Sequence, residues 1–209
     1  MGTKEQILDA LGKHARNGMD RLIFFLNSTD FFTAPASTKY HGAYVGGLAE
    51  HSWNVRNILT HKNKIYNLGL SQESIDIIGI CHDLCKVGFY KLGKKSVKVG
   101  QKPDGKPIWE DQDVYEVDET YPLGHGEKSV ILLQQFIQLN DDEIMAIRWH
   151  MGPWEDKDNK SLSSAFGKYP VAVAMHTADM EATYLIEGRK GEKDNGKAAA
   201  TGNQGNEHV

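Results

Sequence analysis

The sequence predicts an all-α fold, a helical bundle with a β-hairpin inserted at about 88–122. Three observations carry that expectation. Apolar residues recur at helical spacing through most of the chain. The interval 88–122 breaks that spacing with valines and lysines around a Pro-Asp-Gly turn. The 209 residues suffice for one sizeable core. We therefore expect one domain over residues 1–187, beginning with helices in 1–39. The tail, 188–209, is rich in Gly, Lys, Asn and Ala without periodicity and reads as disordered.

The elements follow in order. Ile7, Leu8 and Leu11, then Leu22, Ile23, Phe25 and Leu26, keep helical spacing on either side of Gly18. A loop containing Pro, Ser and Thr runs from Ser28 to Lys39. The next helix reads Leu48, His51, Val55, Ile58, Leu59, so His51 shares an apolar stripe. Ser71 is the expected cap of a helix through Ile75, Ile78 and His82 to Lys86. In the insert, Val97 and Val99 alternate with lysines, Pro103-Asp104-Gly105 turns the chain, and Val114 and Val117 return. Helical pattern resumes with Val130, Leu133, Phe136 and Ile137. Asn140 opens another helix, with Asp141, Asp142 and Glu143 at its positive end, and Gly152-Pro153 stops it. A last helix begins at Pro170, suited to a first helical position, and passes through Val173, His176, Asp179 and Ala182.

A formal charge of −4 argues against general affinity for nucleic-acid backbone or anionic membrane. No apolar run approaches the roughly 18 residues of a membrane span. The N-terminus lacks a signal-peptide core, so cytoplasmic residence is expected. Cys81 and Cys85 are the only cysteines. Four residues apart, they read as reduced packing side chains rather than thiolate ligands, because a structural zinc site needs four ligands.

Six residues carry chemistry: His51, His82, Asp83, His125, His150 and Asp179. The pair His82-Asp83 sits in the run Ile75 to Leu84, which otherwise reads as buried helix. A histidine and a charge there are costly to bury without a partner. A divalent metal is such a partner. A lone histidine is more often a hydrogen-bonded core residue. Four histidines and two aspartates, each on its own helix or helix end, can instead converge inside a bundle. Mixed imidazole and carboxylate ligation suits Mn, Fe, Co, Ni or Zn, with Mg also admissible, as one or two ions per chain.

The local words around these residues are Tyr40-His41-Gly42-Ala43-Tyr44-Val45-Gly46-Gly47-Leu48-Ala49-Glu50-His51-Ser52, Cys81-His82-Asp83-Leu84-Cys85-Lys86, Gly124-His125-Gly126-Glu127, Trp149-His150 and Ala178-Asp179. In that order they resemble the HD superfamily of metal-dependent phosphohydrolases, over roughly residues 40–185. The first segment is most similar to the HD domain of bacterial 3′–5′ exoribonucleases, which pair it with an OB-fold. Forty N-terminal residues that read as helices leave no room for one here. The resemblance implies an HD-domain helical bundle and a core metal held by His51, His82, Asp83 and Asp179. It further implies that His125 and His150 either bind a second metal bridged by Asp83 or serve phosphate contact and proton transfer. Lys86 matches the lysine of the HD-x-x-K pattern and is assigned to substrate phosphate, beside Asp83 as a catalytic residue. Cys85 stands where many relatives have glycine.

Further substrate contacts are expected at His41, Arg148 and Trp154, the last by stacking on a base. His176 reads as a packing or orienting residue, and His208, in the tail, is discounted. The insert's lysines, among them Lys94, Lys95 and Lys98, are followed by acidic residues and read as a cross-strand charge-paired ribbon. The sharper alternative is a mobile lid offering lysines to an anionic substrate. The function expected is hydrolysis of a phosphoester or phosphoanhydride in a small nucleotide-like substrate, short nucleic acid being an alternative ligand. Rival readings are a di-iron HD-type oxygenase and a non-catalytic nucleotide sensor.

Overall fold

A computed structural model describes residues 1–38, 41–119, 121–154 and 159–188. The expected disordered tail, from 189 on, and His208 lie outside the described residues. Among the described residues the helices are α1 (Thr3–Gly12), α2 (Met19–Ser28), α3 (Gly47–Tyr66), α4 (Gln72–Cys81), α5 (His125–Leu133), α6 (Asp141–Arg148), α7 (Asn159–Lys168) and α8 (Pro170–Glu181). Between α4 and α5 the strands β1 (Tyr90–Gln101) and β2 (Pro107–Val117) pair antiparallel, Tyr90 opposite Val117 and Lys98 opposite Trp109.

The all-α expectation is corrected by this sheet. The molecule is mostly helical, but its strands, 12 and 11 residues long, make it a mixed α/β structure. Both strands fall within the expected hairpin at about 88–122, so the correction concerns the class and not the place of the insert. The strands carry exposed residues along both faces, so the ribbon adds little to the core.

The core lies among the helices. Leu11, Leu22, Leu26, Phe31, Leu48, Val55, Leu59, Ile77, Ile78, Leu133, Ile147 and Met175 are fully buried in one cluster. Two glycines set how closely the helices that bear the histidines approach. A Cβ on Gly79 of α4 would meet Arg56 Cα of α3 at 2.5 Å. One on Gly126 of α5 would meet the Arg148 carbonyl oxygen of α6 at 2.2 Å. Polar ties fasten the periphery. Arg16 donates to both carboxylate oxygens of buried Glu143, at 2.7 and 2.9 Å, and to Glu73 at 3.0 Å. Lys62 of α3 reaches Glu181 of α8 at 2.6 Å.

Helix ends follow local chemistry. Ser71 Oγ accepts from the Ser74 backbone N–H, as expected of a cap. Asn140 and Glu143 form a reciprocal capping box on α6. Three expectations need correction. Helix α4 ends at Cys81, not Lys86, and Leu84–Lys86 forms a separate 3-10 turn. Helix α6 ends at Arg148, with a further 3-10 turn at Gly152–Trp154. Helix α7 occupies a stretch where no element was anticipated. Among the described residues no helix is long and apolar enough to cross a membrane.

Candidate metal centre

The end of α4 explains how adjacent residues serve one site. In a continuous helix His82 and Asp83 would point about 100° apart. The chain instead leaves the helix at Asp83, whose backbone sits at φ −103°, ψ 25°. Asp83 Oδ2 then lies 3.3 Å from His82 Nε2 and 3.8 Å from His51 Nε2, while Oδ1 lies 3.5 Å from His150 Nε2. His51 comes from the start of α3, His150 from just beyond α6, and Asp179 from α8. Asp179 Oδ1 is 3.1 Å from His51 Nε2. Five of the six expected ligands therefore meet at one buried point.

The three histidines share an orientation. His82 Nδ1–H donates to the Gly79 carbonyl at 2.9 Å, and His150 Nδ1–H to the Ile147 carbonyl at 2.7 Å, each three residues back. His51 Nδ1 faces the Glu187 carboxylate at 3.1 Å. Each Nε2 is consequently buried without a well-formed hydrogen bond, facing carboxylate oxygens: Asp179 at 3.1 Å from His51, and Asp83 at 3.3 Å from His82 and 3.5 Å from His150. Metal-ligating histidines commonly tie their second nitrogen to a carboxylate or backbone carbonyl in this way. Buried polar atoms are rarely left unpaired, and three around one point fit a cation between them.

The charges are strongly coupled. Burial would push the His51 imidazole down, but Asp179 and Glu187 hold it up at about 10. Burial would raise Asp83, yet the Lys86 ammonium, 2.7 Å away, and the neighbouring imidazoles keep it well below the usual carboxylate range. Asp179 is held down likewise, against burial, by His51, His82 and His150. Burial, followed by the charge of His51, lowers His41 to about 4. His41 stacks 4.7 Å from His51, with both ring nitrogens buried and unpaired.

His125 stands apart from the other five. Its Nδ1 is 3.7 Å from Cys85 Sγ, and it groups with Asp83 and Cys85. The dismissal of both cysteines is corrected at Cys85, which faces the centre, and kept at Cys81, which packs in the core. Burial pushes each thiol up to about 12. Clusters of buried His, Asp and Cys able to hold a metal ion are thus present: His51-His82-Asp83, His82-His150-Asp179, Asp83-Cys85-His125 and His41-His51-Glu187.

A cleft of about 330 Å³ opens onto the centre. His41, Asp83, Lys86, His125, Trp154 and Asp179 line it, with Met151, Met180, Thr183 and Tyr184. Lys86 is 8 % exposed, so its ammonium is directed at the centre rather than at solvent. Arg148, expected at substrate, instead pairs with Glu127 at 2.8 Å, stacks on Trp149 and does not line the cleft. Its place in the last turn of α6 points it along α5. His176 Nδ1–H donates to the His150 carbonyl at 2.7 Å, an orienting role. The hairpin strands contribute no residue to the cleft lining.

Sequence reasoning missed Glu187. At about 100° per residue, a regular helix would set it about 80° round from Asp179. A π-helical turn, Ala182–Glu187, continues α8 and widens it, so both carboxylates reach His51. No local motif marks this residue. No protein-family model matches the chain, and no curated protein or solved structure matches it.

Proposed function

We propose that this chain is an HD-type metal-dependent phosphohydrolase acting on a phosphoester or phosphoanhydride of a small nucleotide-like substrate. One observation carries the reading: three buried imidazoles, each with Nδ1 engaged outward, turn their Nε2 atoms onto the Asp83 and Asp179 carboxylates without a well-formed hydrogen bond. His51, His82, Asp83 and Asp179 would hold the ion, which is a divalent transition metal. When bound, it supplies a Lewis acid for phosphoryl oxygen and lowers the pKa of water towards about 7.

The remaining work belongs to the chain's own groups. Asp83 and Asp179 supply the negative charge that offsets the cation. Lys86, buried beside Asp83 and lining the cleft, offers its ammonium to a phosphate oxygen. His41 is neutral at physiological pH and lines the same cleft, so it can donate a hydrogen bond to phosphate. Trp154 and Tyr184, 62 % and 65 % exposed on the cleft wall, give a planar base two faces to stack on.

The test is phosphate release from a panel of nucleotides and dinucleotides, with metal stripped and then restored. Activity that disappears with the metal and returns with Mn, Co or Zn supports the reading. Bound iron with oxygen consumption and no phosphate release would move the protein to the di-iron oxygenase class. Nucleotide binding without turnover would make it a sensor.

A further inference from the structure

We infer that Cys85 supplies a sulfur ligand to a second divalent ion beside Asp83 and His125, where the resemblance already implies a second metal, and this inference rests on the metal-centre reading above. The three donor atoms lie within 4.8 Å of one another. Bond lengths of about 2.3 Å to sulfur and about 2.0–2.1 Å to nitrogen at tetrahedral angles put those atoms about 3.6 Å apart. Cys85 Sγ and His125 Nδ1 are 3.7 Å apart, and Cys85 Sγ and Asp83 Oδ1 are 4.0 Å apart.

The two oxygens of Asp83 divide between the sites. Oδ2 turns to His82, His51 and the Lys86 ammonium, and Oδ1 turns to Cys85 and His150. One carboxylate can therefore bridge two ions. Cys85 is 2 % exposed, and its backbone is anchored by an N–H to Ser129 Oγ hydrogen bond at 3.1 Å. Its residue type has a consequence. A sulfur ligand selects zinc, cobalt or another thiophilic ion over magnesium, so the second site prefers softer metals than a nitrogen-and-oxygen set would. Binding displaces the thiol proton to solvent and leaves a thiolate, whose charge joins that of Asp83 in balancing the dication.

Cobalt(II) titration of the metal-stripped protein tests this through its spectrum. The expected result is two cobalt ions per chain, with a sulfur-to-cobalt charge-transfer band in the near ultraviolet growing as the second enters. Cys85→Ser should keep the first ion, lose the band and bind the second about tenfold more weakly or worse. Cys81→Ala should keep the band. The chain has only two cysteines, so that variant assigns the band to Cys85 even where Cys85→Ser does not fold. Cobalt bound at any stoichiometry without the band, or a band that survives in Cys85→Ser, overturns the inference while leaving the first site standing. No cobalt bound at all removes the metal centre and this inference together.

Discussion

Glu187 shows how a residue remote from the chemistry can govern it. Its carboxylate faces His51 Nδ1 and accepts from Asn54 at 2.9 Å, which fixes the imidazole with Nε2 towards Asp83 and Asp179. Glu187→Gln should therefore lower metal affinity by about 10–100-fold in a protein that keeps its helical content. Equilibrium dialysis with zinc measures this, and unchanged affinity would remove Glu187 from the centre. A pH dependence follows from the same pair of carboxylates. In the metal-free protein Asp179 and Glu187 raise His51 to about 10, so an incoming ion must displace a proton. Metal uptake should tighten as pH rises from about 6 to 8, by roughly tenfold per unit for one displaced proton. A flat affinity over that interval would mean His51 is already neutral. The clustered residues His51, His82, Asp83, His150 and Asp179 were legible because each interrupts an apolar helical context. Glu187 was not, because its place depends on a wide turn that a 3.6-residue period does not anticipate. Cys85 was set aside because thiolate sites were weighed only as four-ligand structural sites.

At the scale of elements, helix ends decide the site. His82 follows α4 directly and His150 follows α6 after Trp149, and each returns a hydrogen bond to the carbonyl three residues back. Close helix contacts keep those carbonyls in place. Gly126→Ala would drive a Cβ into the carbonyls of Arg148 and Ile147, the second of which anchors His150. Overpacking of this kind costs about 1–3 kcal/mol, and here it should also part His125 from His150. Urea denaturation and metal stoichiometry together check it; full stability would mean that α5 shifts freely. The hairpin behaves differently. Lys91 pairs with Asp118 at 3.3 Å and Lys94 lies opposite Asp113, whereas Lys95 and Lys98 lie opposite Gln112 and Trp109, and no strand residue lines the cleft. We expect Lys94, Lys95 and Lys98 replaced by Gln to leave the KM for an anionic substrate, and its salt dependence, unchanged. A raised KM with a flatter salt response would restore the lid. Most elements were legible from apolar spacing and caps, including the hairpin from its Pro-Asp-Gly turn. The end of α4 was not, since nothing in Cys81-His82-Asp83-Leu84 breaks helical propensity. The break serves the site rather than the local sequence.

Across the whole molecule, the centre joins α3, the end of α4, the end of α6 and α8, which otherwise meet through apolar packing and ties such as Lys62 to Glu181. An ion bound only by the folded chain adds stability by mass action, about 2.7 kcal/mol at a hundredfold excess over Kd. Chelation should lower the Tm accordingly, and zinc should restore it. The net charge of −4 would be no obstacle to the proposed anionic substrate, because a bound dication together with Lys86 would make the cleft locally positive. The all-α class failed at this scale alone: the helical body and the hairpin at about 88–122 were expected, but a two-stranded sheet makes the molecule mixed α/β. The central claim is that buried imidazoles and carboxylates around Asp83 bind metal. Elemental analysis of protein purified without chelator, beside Asp83→Ala prepared identically, tests it most directly. The account predicts one or two transition-metal ions per chain in the parent, and loss of bound metal in a variant that keeps its helical content. A parent protein without metal, or an Asp83→Ala protein with a full complement, would contradict it.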